Sequence, residues 1–297
     1  YKMINFNKFY KIFNLISITL VACSIILLLF KGLNFGIDFK GGTLIELRVN
    51  DNQTKISTLR QTFNNMNLGE VNIKKFGNEN DFLIKFEKKD NTPNTIESIK
   101  NDLSKSIGNN CNFRRVENVG PKVSSELLRS GIIAIALSLA AMLFYIWIRF
   151  EWQFSLGAIL ALFHDVLITL GIFSLFSLEI NLSIVAAVLT IVGYSMNDTV
   201  VIFDRVRENL RKYSHIKIFE LTNISINETL SRTVITSATT LLALVSIYLF
   251  GGEILKGFSL AMILGVIFGT YSSIYIANSV LVKLNVTQKT VLKDIDN

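Results

Sequence analysis

Two charged residues lie in or beside long apolar runs, and they are the side chains of this sequence most suited to chemistry. Asp198 closes the segment VGYSMND, and about five residues separate it from Phe203, where the apolar run ends. At 1.5 Å per residue, this depth is roughly 8 Å inside a helix end. Arg232 precedes the next apolar run and supplies a counter-charge. Because a carboxylate at that depth is costly unless protonated or paired, the two residues predict a proton-responsive site.

Hydroxyl side chains repeat around Arg232 at spacings that place them on one helix face. They are Thr229, Thr233, Thr236 and Thr240. Asn197 and Thr199 add hydrogen-bonding groups beside Asp198. A hydroxyl stripe is typical either of a helix that lines a hydrated path or of helices that pack through polar contacts. Taken with the charged pair, it favours the hydrated path.

Two further features lie within apolar runs. His164 and Asp165 are adjacent. They either extend the polar path or satisfy each other and the nearby backbone, and the sequence leaves both interpretations open. Small residues recur at every fourth position around Gly265 and Gly269, which predicts close helix packing without chemistry.

Long apolar runs must position these groups, because half of the 297 residues are hydrophobic and only 18% are charged. A soluble domain of this length needs a more charged surface, whereas about 20 apolar residues suffice for a helix to cross a bilayer. The fold class predicted is therefore an α-helical multi-pass membrane protein. Its six transmembrane helices are predicted at 12–30, 131–148, 154–178, 182–203, 233–250 and 258–282.

The placement of Lys and Arg predicts the orientation of these helices. Positive residues cluster in segments 1–11, 204–232 and 283–297, and Arg149 lies between the second and third helices. Such residues favour the cytoplasmic side. Both termini and the predicted loop 204–232 are therefore expected in the cytoplasm, and 31–130 is expected outside it. Because topology accounts for the positive charge, no nucleic-acid partner is expected.

The stretch GLNFGIDFKGGT, residues 32–43, has the glycine content of a phosphate-binding loop. It fails the P-loop pattern, since Gly41 is followed by Gly-Thr where Lys and then Ser or Thr are required. Its predicted side of the membrane also has no ATP. Gly32, Gly36, Gly41 and Gly42 instead predict a hinge between the first helix and the following strand. No cofactor or metal is expected.

Residues 43–119 predict a small extracytoplasmic α+β domain. Alternating apolar residues mark strands, and apolar residues at helical spacing mark two helices, in the order βαββαβ of the ferredoxin-like split βαβ unit. The segment contains no histidine, and its carboxylates Asp81, Glu87 and Glu97 are spread as on a solvated face. An interaction domain or moving domain is expected rather than an enzyme.

Five motifs in order resemble the SecD/SecF family of protein-export membrane proteins, in particular its SecF members, which are relatives of the RND transporters. They are FGIDFKGGT, VENVGPKVSSELLRSG, RFEWQFSLGAI, FHD and SMNDTVVIFDRVRENLR. The match covers nearly the whole chain. It implies an RND-type half of six helices in a bacterial inner membrane, with residues 31–130 in the periplasm. It also implies that Asp198 and Arg232 match the proton-coupling residues of the family.

The resemblance further implies partners and a role. The role is that of an accessory subunit of the Sec translocase, which works with SecD and uses the proton-motive force to help unfolded exported polypeptides leave the SecYEG channel. YajC is a further candidate partner. RND-type transporters use two six-helix halves, and this chain has one, so a second chain is expected. Two alternatives remain open: half of a small-molecule exporter, and a structural assembly factor in which Asp198 is dispensable. Na⁺ in place of protons also stays open.

Overall fold

The computed structural model describes residues 3–49, 56–66, 68–69, 71–75, 80–87, 93–107, 111–213 and 215–292. The chain forms two compact units. The smaller is Phe35–Ile132, and the larger combines Tyr1–Asn34 with Ile133–Asn297.

The described elements follow one another in a regular order along the chain. They are α1 (Tyr10–Phe30), β1 (Asn34–Phe35), α2 (Ile37–Lys40), β2 (Gly42–Val49), α3 (Ile56–Asn65), β3 (Val71–Lys75), β4 (Asp81–Phe86), α4 (Pro93–Ile107), β5 (Cys111–Val119), α5 (Pro121–Arg149), α6 (Trp152–Leu175), β6 (Glu179–Ile180), α7 (Leu182–Lys212), α8 (Ile218–Phe250), α9 (Glu253–Ser272), α10 (Asn278–Lys283) and α11 (Gln288–Leu292). A 3₁₀ turn, Asn7–Phe9, precedes α1, and a π-helical turn, Ser273–Ala277, joins α9 to α10.

Within the described residues, six helical segments are long and apolar enough to cross a membrane. They are Asn7–Phe30, Pro121–Arg149, Trp152–Leu175, Leu182–Lys212, Ile218–Phe250 and Leu255–Lys283. The predicted class of multi-pass helical membrane protein is confirmed. In the larger unit α6, α7 and α9 form the interior, while α1, α5 and α8 are mostly peripheral. Side chains that face the interior therefore come chiefly from three helices.

The third helix is shorter than predicted, because it ends at Leu175 and not at residue 178. Ser177 has φ +51°, the left-handed conformation that closes a helix. Its N–H donates to the Ser174 carbonyl at 3.1 Å, and the N–H of Leu178 donates to the Phe173 carbonyl at 2.9 Å. These two bonds form a Schellman motif. Hydrophobicity continues past the helix end, which explains why the apolar pattern overran it.

The prediction that 204–232 is a loop is wrong, since most of that segment is helical. Helix α7 continues to Lys212 and α8 begins at Ile218. The two polar stems bind each other: Arg205 Nε donates to Glu228 Oε2 at 2.7 Å, and Asn209 Nδ2 donates to Ser225 Oγ at 2.9 Å. Because hydrophobicity marks only the lipid-facing part of a helix, it cannot locate the ends of helices that continue into water.

The smaller unit is built around an antiparallel sheet. Its described strands run in the order β3-β4-β2-β5, with β2 paired to both β4 and β5. Strands and helices alternate as βαββαβ, the order predicted for this segment; the assignment to the ferredoxin-like fold stays a prediction. Alternate residues of β2 face the core, which also includes both helices: Ile45, Leu47, Val49, Leu59, Phe63, Ile99 and Leu103.

Asp81 does not lie on a solvated face, so that prediction is wrong, whereas Glu87 and Glu97 are exposed as predicted. Asp81 is the cross-strand neighbour of Arg48. Arg48 donates to its two carboxylate oxygens at 2.6 and 2.7 Å, and Arg114 lies 3.6 Å away. This pairing raises the pKa of the Arg48 guanidinium. Cross-strand register, which periodicity alone does not determine, buries the carboxylate.

Candidate functional site

Asp198 occupies the interior face of α7, and only 3% of its surface is exposed. Its Oδ2 atom has no hydrogen-bond partner among the described residues. An ionised carboxylate that is buried without a full set of donors is costly. Its charge state therefore depends on the groups that surround it.

Three groups act on the Asp198 carboxylate: the guanidinium of Arg232 on α8 and the hydroxyls of Thr270 on α9 and Ser237 on α8. The two hydroxyls are 2.6 Å apart and bond to each other. Asp198 and Arg232, both described, form no direct ion pair, and Arg232 is exposed at the surface of this chain. The arrangement thus holds a buried acid near a cation without neutralising it by direct contact.

Other residues predicted beside this pair are not brought to it. Asn197 is exposed, and the hydroxyl of Thr236 donates to the Arg232 carbonyl at 2.8 Å, as in an ordinary helix. Thr233 is buried, and its hydroxyl has no partner among the described residues. Sequence reasoning missed Thr270, for which the available signal was a hydroxyl directly after the small-residue face of α9.

A second buried cluster surrounds Asp165, which is fully buried on α6. His164 Nδ1 lies 2.8 Å from Asp165 Oδ1, and the hydroxyls of Ser195 and Ser272 donate to Oδ2 at 2.5 and 2.7 Å. The adjacent His164 and Asp165 therefore bond to each other, one of the two alternatives left by the sequence. Ser195 precedes Asp198 by three residues on α7, so the two acids are about one helical turn apart along that helix.

The small-residue face of α9 lies against α7 at this level. A Cβ at Gly265 would be 2.3 Å from the Ile191 side chain. At Gly269 it would be 3.2 Å from the Cα of Ser195 and 3.6 Å from Asp165 Oδ2. Close approach of the two helices brings the α9 hydroxyls to both acids.

The Gly-rich stretch has a steric explanation in the smaller unit. Gly32, Gly41 and Gly42 have φ of +70°, +79° and +133°, while Gly36, at −78°, caps α2. A Cβ at Gly42 would lie 2.8 Å from the Phe86 carbonyl oxygen of the neighbouring strand. Glycine is required there by backbone conformation and by strand contact; the hinge stays a prediction.

Comparison with known families gives matches over both parts of the chain. Residues 99–287 match the model of the protein export membrane protein SecD/SecF, C-terminal, and residues 26–52 match the SecD/SecF GG motif. The chain is similar to the protein translocase subunit SecF of Rickettsia bellii, with 47% identity over 279 residues, 93% of this chain and 92% of that protein. It is also similar to the SecF subunit of Cereibacter sphaeroides, with 43% identity over 94% of this chain and 88% of that protein.

Solved structures give the same relationship. The crystal structure of SecDF from Thermus thermophilus, described as a translocon-associated membrane protein, matches 95% of this chain with 36% identity and a TM-score of 0.86. A SecDF structure in a super-membrane-facing form matches 100% with 33% identity and a TM-score of 0.71. The chain spans 39% and 40% of those two longer chains. On these matches, the chain belongs to the SecF family of SecD/SecF protein-export membrane proteins.

Proposed function

We propose that this chain is an accessory subunit of a Sec protein translocase and that it couples proton movement to the export of polypeptides. The observation that carries the proposal is Asp198, a nearly fully buried acid with an unpartnered Oδ2 beside an arginine that it does not directly contact. A structural acid is normally satisfied by its own fold, as Asp165 is here. Asp198 is incompletely satisfied, as a group that takes up and releases a proton must be.

The coupling step follows from the change of charge at Asp198. When the carboxylate is ionised, it attracts Arg232 and accepts hydrogen bonds from nearby hydroxyls. A proton that reaches it removes the attraction and leaves the arginine without a counter-charge. Asp198 and Arg232 lie on different helices, α7 and α8, so each charge state favours a different arrangement of the pair. The Gly32–Gly42 segment is proposed as the hinge by which the smaller unit responds.

A second half is part of the proposal. Arg232 and Asn197 are exposed on this chain, at a level where an isolated charge would face lipid. The solved SecDF chains are more than twice as long, and a SecD partner would cover this surface. SecYEG, accessory YajC and unfolded exported polypeptides complete the proposed assembly. The proposed location is the bacterial inner membrane, with both termini cytoplasmic and residues 31–130 periplasmic.

The test is proton flux and precursor export in proteoliposomes that contain the complete translocase. Asp198→Asn keeps the shape of the side chain but cannot ionise, so we expect the complex to assemble while gradient-driven export and proton flux both stop. Asp204→Asn is the matched control: Asp204 is half-exposed and bonds to Arg149 at 2.9 Å, so its loss should matter little. If Asp198→Asn retained full gradient-driven export, the subunit would be a scaffold and the proposal would be wrong.

A further inference from the structure

Four consecutive residues of α9, Thr270–Ser273, contact four different helices. Three of them do so through hydroxyls, which bond to Ser237 of α8 at 2.6 Å, to Asp165 of α6 at 2.7 Å and to Thr199 of α7 at 2.8 Å. The first contact is beside Asp198, and the second is the Asp165 cluster. One turn of α9 therefore contacts both buried acids at the same time.

The fourth contact of this turn is made by Tyr271 with α1. The Tyr271 hydroxyl donates to the carbonyl oxygen of Phe13 at 2.7 Å and lies 2.7 Å from Ser17 Oγ. Its ring stacks on His164, with centroids 5.8 Å apart and planes inclined by 26°. Tyr271 thus joins the His164–Asp165 pair to a helix that carries no acid.

A π-helical turn, Ser273–Ala277, begins at the end of this segment. Such turns contain one extra residue, break the regular i→i−4 ladder and occur often at functional sites. Asn278 Nδ2 donates to the Ser273 carbonyl at 2.7 Å and so satisfies backbone at the irregular turn. A helix with such a turn can change its rotation on one side of the turn while the other side keeps its packing.

Helix α1 is held differently towards its C-terminal end. Ser24 lies against Gly171 of α6, where a Cβ would be 2.3 Å from Ser24 Oγ. Ser174 of α6 donates to the carbonyl oxygens of Leu27 and Gly32 at 3.3 and 2.6 Å. The C-terminal half of α1 is therefore seated on α6, while its N-terminal half contacts α9 through Tyr271. After α1 the chain continues directly into the Gly-rich stretch and β2.

We propose that Tyr271 is a positioning residue that transmits the state of the Asp198 site to α1. A change at Asp198 alters its contacts with Thr270, the turn Thr270–Ser273 rotates above the π-helical turn, and the Tyr271 hydroxyl moves the N-terminal half of α1. The inference rests on the proposed function, because it requires Asp198 to change charge during export. It adds a specific mechanical connection between the proton site and the helix that leads to the smaller unit.

The test compares variants in proteoliposomes that contain the complete translocase, with proton flux and export of a fluorescent precursor measured on the same sample. Tyr271→Phe removes the hydroxyl and keeps the ring on His164. We expect export to fall by about twofold to tenfold, the worth of one or two hydrogen bonds, while proton flux is retained. Tyr194→Phe is the control, because the buried Tyr194 hydroxyl has no partner among the described residues; both measurements should stay at the wild-type level.

A second variant separates transmission from simple packing. Ser17→Ala removes the side-chain partner of the Tyr271 hydroxyl and should lower export per proton in the same direction. The double variant Ser17→Ala/Tyr271→Phe should be no worse than Tyr271→Phe alone, because both changes act on one contact. Additive losses would overturn the inference.

The remaining outcomes are also decisive. Unchanged export in Tyr271→Phe would overturn the inference while leaving the proposed function intact. A parallel fall of proton flux and export would overturn it too, since Tyr271 would then act on the proton site or on folding. Failure of the proposed function has a separate signature, namely full gradient-driven export in Asp198→Asn whatever Tyr271→Phe does.

Discussion

Gly42 is the position in the Gly-rich stretch where replacement should be most damaging. Its φ of +133° is unfavourable for any residue with a Cβ, and that Cβ would lie 2.8 Å from the Phe86 carbonyl oxygen, a backbone atom that can move only with its strand. Backbone strain of this kind costs about 1–3 kcal/mol. Displacing the strand weakens at least one ladder hydrogen bond, worth about 1 kcal/mol. The reduced entropy of the unfolded chain returns about 0.4–1 kcal/mol.

The expected net loss for Gly42→Ala is therefore about 1–3 kcal/mol. A unit of this size, Phe35–Ile132, has a total unfolding free energy of about 5–15 kcal/mol, so the variant should fold but with reduced stability. Gly41→Ala should lose less: its φ and ψ of +79° and 165° are also glycine-specific, but its Cβ would stand 3.3 Å from the Val119 carbonyl oxygen. Gly120→Ala is the matched control, since its Cβ would meet nothing within 4 Å.

The assay is urea unfolding of the isolated segment 35–132, followed by circular dichroism. With a denaturant dependence of about 1 kcal/mol per molar urea, Gly42→Ala should shift the midpoint down by roughly 1–3 M. Gly120→Ala should shift it by less than about 0.5 M. Equal midpoints for Gly42→Ala and Gly120→Ala would refute the steric explanation of the Gly-rich stretch. The stretch would then owe its glycines to the hinge alone.

The remaining predictions concern orientation, structure and coupling. Cysteines introduced within 50–110 should react with an impermeant maleimide from outside the cell, and those within 205–220 should not; the opposite pattern would reverse the proposed topology. The segment 43–119 alone should be soluble with a mixed α/β spectrum, and a disordered spectrum would contradict its assignment as a domain. Burial raises the pKa of the Cys111 thiol, so less of it is thiolate at pH 8 and its alkylation should be slower than after unfolding; equal rates would show that the thiol is not shielded. Arg232→Met should abolish proton-dependent export in cells, while retained export would remove the arginine from the coupling step.

The sequence was a good guide to features that depend on residue type alone. Six apolar runs gave six helices, and alternating residues such as Ile45 and Leu47 gave a strand with one buried face. The burial of Asp198 also followed from its depth in an apolar run. These properties depend on local periodicity and on the cost of burying charge, both of which can be read from a single segment.

Features that depend on the rotation or register of neighbouring elements were not accessible. Asn197 and Asp198 are adjacent, yet one is exposed and the other buried, and only the packed helices decide which. The role of Thr270 depends on α9 approaching α7 at Gly269. Asp81 is buried because β2 and β4 pair in the register that places it opposite Arg48. None of these relations can be derived from one element at a time.

The polar stems of α7 and α8 limit how the two helices can move. Arg205 and Asn209 on α7 bond to Glu228 and Ser225 on α8, and the helices are joined by only the short segment 213–217. Sliding of one helix along the other would break these contacts, whereas opening about the clamped end would keep them. The pair should therefore behave like tweezers. Because Asp198 and Arg232 lie only one to two turns from the clamp, a small change in their separation would become a large one at the opposite tips of the two helices.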